Sequence, residues 1–159
     1  MKVILQRVTS SRVKVGGKLV SEIGQGFTIL LGVAEGDSEK EADFLSDKIA
    51  KLRVMSDSEG KMNKSILDVS GEILVVSQFT LLADTSGGRR PSFIKAATPD
   101  TADRLYQYFV KKLQELGVKK VVTGEFGTYM EVEIVNDGPV TIVLDTSTSN
   151  KSEARNPKS

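Results

Sequence analysis

The chain has 159 residues, with 22 Lys and Arg against 21 Asp and Glu, and it contains no His, no Cys and no Trp. That length corresponds to one domain, which buries roughly 70% of the surface its unfolded chain would expose, so its core needs neither disulfides nor a structural metal. Without Cys there is no disulfide framework, thiol nucleophile, Cys-bound zinc or iron–sulfur cluster. Without His there is no Ser-His-Asp or Cys-His nucleophile, and proton transfer falls to carboxylates, Lys, Tyr, Thr, backbone groups, water or the substrate itself. A net charge of +1 exerts no global pull on nucleic acid, so an RNA partner would be held by a local patch or by shape.

The apolar start Val3-Ile4-Leu5 is too short for a signal peptide, and no stretch approaches ~20 apolar residues. A cytoplasmic protein with no membrane contact is expected. Val3–Val8, Arg12–Val15 and Lys18–Ile23 read as strands, the last two joined through Gly16-Gly17, whose tolerance of positive φ suits a two-residue hairpin. Phe27–Val33 is nearly continuous apolar and reads as a buried strand. Ser38 and Glu41 form a capping box ahead of a helix with apolar Ala42, Leu45, Ile49 and Leu52.

Glu72–Leu82, with Ile73, Val75, Val76 and Thr80 as β-branched residues, reads as a central strand with a polar far end. Thr98 and Pro99 then open a second helix with a stripe of Leu105, Phe109, Leu113 and Leu116, stopped by Gly117. Lys119–Thr123, Tyr129–Val135 and Val140–Leu144 return to strands. Blocks of strands separated by two helices predict a single α+β domain on a mixed or antiparallel sheet. Residues 146–159 are polar and aperiodic and read as a flexible tail, which leaves residues 1–145 as a nearly neutral domain.

Three places break the local rules of their element, and such breaks mark candidate functional sites. In Ser77-Gln78-Phe79-Thr80 a buried strand runs into two hydroxyls and an amide, which are costly to bury unless hydrogen-bonded or facing a cavity. This segment reads either as a strand ending in solvent or as a pocket wall. In the second reading Ser77 and Thr80 are hydroxyl donors or nucleophiles, and Gln78 or nearby backbone N–H groups form an oxyanion site. Asn136-Asp137-Gly138-Pro139-Val140-Thr141 reads by default as a hairpin turn; a cis Gly-Pro bond there would instead turn carbonyls outward as rigid acceptors. Gly87-Gly88-Arg89-Arg90-Pro91-Ser92-Phe93 is a glycine-hinged loop whose paired arginines are either solvated or grip phosphate, with Phe93 packed beneath.

Gln6-Arg7-Val8, Gly60-Lys61-Met62-Asn63, Ser77-Gln78-Phe79-Thr80-Leu81, Arg90-Pro91-Ser92-Phe93 and Asn136-Asp137-Gly138-Pro139-Val140-Thr141, in this order, closely resemble the D-aminoacyl-tRNA deacylase family over about residues 1–145. The resemblance implies that family's barrel-like sheet with two main helices. It also implies a homodimeric hydrolase that cleaves the ester between a D-amino acid and the terminal adenosine of tRNA, and that removes glycine mischarged onto alanine tRNA. In the family the Gly-Pro bond is cis and enters the partner subunit's active site. Gly138 and Pro139 would take that role, with Asn136 and Thr141 flanking them and Arg7 holding the motif. Ser77, Gln78, Phe79 and Thr80 would form the facing wall, and Phe126 and Met130 the pocket rim.

The resemblance further implies hydrolysis assisted by the 2′-OH of the RNA itself, which suits a chain without His or Cys and needs no metal or organic cofactor. The backbone carbonyls of the cis motif would crowd out an L side chain, leave a D side chain pointing outward and admit glycine. Arg89 and Arg90, with the Lys111-Lys112 and Lys119-Lys120 pairs, are candidates for the tRNA track. Two other readings stay open: a Thr-dependent esterase with Thr80 as nucleophile, and a non-catalytic dimeric module that binds RNA or a small ligand.

Overall fold

In the computed structural model, which describes residues 1–147, eight strands and two α-helices follow in the order β1 (Lys2–Val15), β2 (Lys18–Ile23), β3 (Gly26–Gly32), α1 (Glu39–Lys51), β4 (Met55–Ser56), β5 (Met62–Lys64), β6 (Glu72–Ser77), α2 (Pro99–Glu115), β7 (Lys120–Thr123) and β8 (Glu131–Asp145). The main sheet runs β2-β1-β3-β6-β7, with β8 added on β1. β1 is antiparallel to β2, β3 and β8, whereas β3, β6 and β7 are parallel and joined by the two helical crossovers. Its two ends are tied across: Ser21 Oγ donates to the Thr123 carbonyl (2.7 Å) and Lys120 Nζ to the Glu22 carbonyl (2.9 Å). The result is the expected α+β domain on a mixed, nearly closed sheet.

Two breaks expected between strands are absent. The polar Thr9-Ser10 step does not divide the first strand, because β8 pairs with β1 along its length and absorbs the irregularity in register shifts between Gln6 and Val8 and between Val8 and Ser10. Likewise, Gly138-Pro139 is not a hairpin turn between two strands. It lies inside β8, where Gln6 pairs with Thr141 and Val8 with Asn136, so residues 137–140 bow out opposite Arg7. β8 pairs with β1 alone, and an outer strand with a bulge is where a residue lacking an N–H is tolerated. The predicted hairpin at Gly16-Gly17 is present, with Val15 opposite Lys18 and φ of +56° and +78°.

The helices cover one face of the sheet. Val3, Leu5, Phe27, Ile29, Leu31, Ile73 and Val75 meet Leu45, Ile49, Leu105, Phe109 and Leu113 there, all buried. Each such side chain contributes about 1.5–3 kcal/mol relative to exposure. Tyr106, outside the predicted stripe, is also buried, and its OH donates to the Val75 carbonyl (3.1 Å), which satisfies the phenol. The opposite face buries Val8, Val13, Ile23, Leu74 and Val76. α1 starts at the Ser38–Glu41 capping box; α2 starts at Pro99 with no bond from the Thr98 side chain to the helix backbone, and Gly117 follows its end at φ +102°.

β6 stops at Ser77 rather than Leu82. The Gln78 N–H donates to the Leu31 carbonyl (2.8 Å), after which Phe79–Leu82 coil into a short 3₁₀ helix with no buried residue. Of the predicted tail, residues 148–159 lie outside the described residues, while Thr146 is buried and its N–H donates to the Met1 carbonyl (3.1 Å). Among the described residues no helix is long and apolar enough to cross a membrane.

Candidate active site

The end of β6 opens onto a cavity of about 470 Å³ lined by Ser77 and Phe79, by Phe93, by Ala102 of α2, and by Phe126 and Met130 ahead of β8. Four residues singled out in the sequence, Ser77, Phe79, Phe126 and Met130, therefore meet here although they are 53 positions apart in the chain at the extremes. The walls are mostly apolar, with Phe79, Phe93 and Phe126 as their aromatic members. Phe79 and Phe93 meet edge to face with centroids 5.0 Å apart, and Phe126 lies 6.0 Å from buried Tyr106. Such a cavity, apolar with a few hydroxyls at its mouth, suits a flat organic ring.

Gln78 is half-buried and Thr80 exposed, and the Gln78 amide donates to Thr80 Oγ1 (2.7 Å). An amide nitrogen cannot accept the hydroxyl proton, so this contact orients Thr80 without activating it. Among the described residues no group of three or more acidic side chains could hold a metal ion.

Arg7 is only 8% exposed, and a guanidinium so enclosed requires acceptors for its donors. One terminal nitrogen donates to the Val54 carbonyl (2.8 Å) and to Ser56 Oγ (3.3 Å), while Nε donates to the Asp137 carbonyl (3.0 Å) and lies 3.4 Å from the Asp137 carboxylate. Arg7 thus joins β4 to the bowed segment of β8. In that segment the Gly138-Pro139 peptide is cis, both residues are exposed, and Gly138 has φ +135°. Asn136 is exposed, and Thr141 Oγ1 accepts from Gln6 Nε2 (3.4 Å). Gly138 and Pro139 do not line the cavity at Ser77 of the same chain, and β1 and β3 stand between β8 and β6.

Arg89 and Arg90 sit exposed at the tip of a loop whose base is closed by reciprocal backbone bonds between Asp84 and Ser92. The Asp84 carboxylate accepts from the Ser86 hydroxyl (2.6 Å) and N–H (2.9 Å) and pairs with Lys95 (3.4 Å); the Ser86 bonds first, then Lys95, lower its pKa to about 2. Phe93 and Asp137 were legible only as members of their motifs, and Asp84 and Ser56 carried no signal at all in the sequence.

Residues 4–145 match the family model described as D-Tyr-tRNA(Tyr) deacylase. A D-aminoacyl-tRNA deacylase of Dehalococcoides mccartyi is 56% identical over 146 residues, covering 92% of this chain and 95% of that protein. One of Natranaerobius thermophilus is 52% identical over 147 residues, covering 92% and 98%. Among solved structures, a c-Myc DNA unwinding element binding protein superposes with TM-score 0.87 at 42% identity, over 92% of this chain and 99% of that one. A probable eukaryotic D-amino acid tRNA deacylase shares the fold, with TM-score 0.77 at 18% identity over 91% and 98%. The chain is therefore a hydrolase acting on an ester bond. It belongs to the D-aminoacyl-tRNA deacylase family, and the ester it hydrolyses is that of D-aminoacyl-tRNA.

Proposed function

We propose that this deacylase works in the cytoplasm as a homodimer that edits the 3′ end of aminoacyl-tRNA, and that it removes mischarged glycine from alanine tRNA as well as D-amino acids. Gly138-Pro139 of one subunit enters the Ser77–Thr80 cavity of the other. The observation that carries this reading is the placement of an exposed motif, pinned by buried Arg7, on the outer edge of the sheet, away from the cavity of its own chain. A second copy can bring such a motif to that cavity.

In this arrangement the cavity takes the terminal adenosine, with the ester carbonyl near Gln78, Thr80 and the backbone N–H groups around them. Water adds to that carbonyl with the help of the neighbouring 2′-OH, the bond to the ribose oxygen breaks, and free amino acid leaves. The protein contributes position and exclusion, which can supply several kcal/mol of the barrier without a side-chain base. Backbone carbonyls at Gly138 occupy the space of an L side chain; a D side chain points outward, and glycine has none to reject. Arg89 and Arg90 meet backbone phosphates, with the Lys111-Lys112 and Lys119-Lys120 pairs extending the track.

The test is hydrolysis of matched D- and L-tyrosyl-tRNA in the presence of chelator, with a D-ester whose terminal ribose lacks the 2′-OH, alongside light scattering for subunit number. The expected result is rapid loss of the D ester alone, abolished on the 2′-deoxy substrate, by a dimer. D-specific cleavage that persists without the 2′-OH would return Thr80 as nucleophile. Survival of both esters would leave a binding module.

A further inference from the structure

Tyr129 is 95% exposed, the highest value among the large apolar and aromatic side chains of the described residues. Its position is built rather than slack. The turn that carries it is fixed by the Thr128 N–H and hydroxyl, which both donate to the Glu125 carbonyl (3.3 and 2.9 Å), and by the Glu125 N–H against Met130 Sδ (3.4 Å), with Gly127 at φ +77°. On either side of Tyr129, Thr128 and Met130 line the cavity at Ser77. Phe79, which lines the same cavity, is itself 54% exposed. The rim of this cavity therefore presents apolar and aromatic surface to water, and holding it there costs stability unless a ligand covers it.

We propose that Tyr129 is a stacking platform for the nucleobase that precedes the terminal nucleotide of the tRNA. This deepens the reading above and rests on it, because it takes the cavity to hold the terminal adenosine. The 3′ end of tRNA is single-stranded, so each of its bases offers a free π-face, and stacking on an aromatic ring is the usual way a protein holds such a base without reading its sequence. A base lying just outside the cavity at Thr128 and Met130 is next to the segment that carries the exposed Tyr129 ring. The phenol adds no needed contact, so the ring alone carries the interaction. The occupant is taken as nucleic acid because the single-stranded 3′ end must leave the cavity at its edge, where Thr128 and Met130 line it; a second copy of the chain, which reaches the same cavity in the reading above, is the alternative that the oligomer mass tests.

The test compares the full-length enzyme with Tyr129→Ala and Tyr129→Phe on two substrates, D-tyrosyl-tRNA and D-tyrosyl-adenosine, the second lacking the preceding nucleotide. On tRNA, Tyr129→Ala is expected to raise KM about tenfold with kcat unchanged, the loss of one base–aromatic stack, and Tyr129→Phe to stay within about twofold of the parent. On D-tyrosyl-adenosine all three should be equal. An unchanged KM on tRNA overturns the proposal, as does an equal loss on both substrates, which would place Tyr129 in the cavity's own chemistry. A drop in oligomer mass for Tyr129→Ala would assign the ring to a subunit contact and also overturn it. Failure of the parent enzyme to cleave either substrate would sink the underlying functional reading instead, and this proposal with it.

Discussion

Arg7 on β1 and Asp137 on β8 are coupled twice through one nitrogen: Arg7 Nε donates to the Asp137 carbonyl at 3.0 Å and stands 3.4 Å from its carboxylate. The same side chain reaches the Val54 carbonyl at 2.8 Å. Truncation in Arg7→Ala strips both carbonyls of a charged donor, and Arg7→Lys keeps the charge but cannot span acceptors on two elements from one planar fork. Both variants should lose roughly 1.5–3 kcal/mol of stability in urea titrations. If the bowed segment serves the proposed function, deacylation should fall further than the folded fraction does. A variant with parental stability would show that this side chain does not hold the two elements together.

Gly138 leaves no room for a side chain. A Cβ there would lie 2.9 Å from the Val140 nitrogen and 3.0 Å from Val140 Cγ2, at φ +135°, a region L residues rarely adopt. Gly138→Ala should therefore shift the segment or strain it by about 1–3 kcal/mol. The expected outcome is reduced activity on D-tyrosyl-tRNA or relaxed discrimination against the L ester, in a protein whose circular dichroism is that of the parent. Unchanged rate and unchanged chiral preference would reject the steric role proposed for this motif.

Thr80 accepts a bond from an amide and has no base beside it in that contact. Thr80→Ala should keep most of the deacylation rate, the loss being confined to orientation. Single-turnover kinetics settle the matter: a fall of about a thousandfold or more is the signature of a lost nucleophile.

Asp84 closes the base of the arginine loop with a carboxylate whose pKa is lowered to about 2, chiefly by the Ser86 bonds and then by Lys95. A group depressed on folding stabilises fully above its unfolded value of about 3.9, and this contribution disappears as the pH falls through the folded value. Asp84→Asn should thus melt below the parent at pH 6, with the gap closing as the pH falls from about 4 to about 2. Because Asp84 is solvent-accessible the gap is small, and the sign of its pH dependence is the diagnostic. A gap that stays constant down to pH 2 would mean that ionisation of Asp84 does not matter to the fold.

Local signals in the sequence were reliable where an element is specified by its own residues. The Ser38–Glu41 box and the Gly16-Gly17 turn behave as written because capping and positive φ are decided within a few positions. Misreadings arose where a distant partner decides. Thr9-Ser10 looks like a break until β8 pairs across it, and Phe79, Leu81 and Leu82 prolong an apolar run that the chain ends at Ser77. Met55–Ser56 and Met62–Lys64, strands of two and three residues, are too short for any periodicity to register. The cavity was half legible. Ser77 announces itself by polarity at the end of a β run and Phe79 comes with it as part of the same segment, but no spacing in the chain tells that Phe93 and Phe126 will face them.

The outer position of β8 has a consequence for how this molecule can associate. A bare strand edge invites pairing with any other edge and so risks open-ended growth. Here the edge is interrupted at its middle, where residues 137–140 bow away from β1 and Pro139 has no N–H to give. A foreign strand cannot run in register along its whole length. Pairing at this edge is thereby limited to the shorter stretches on either side of residues 137–140, which works against open-ended growth.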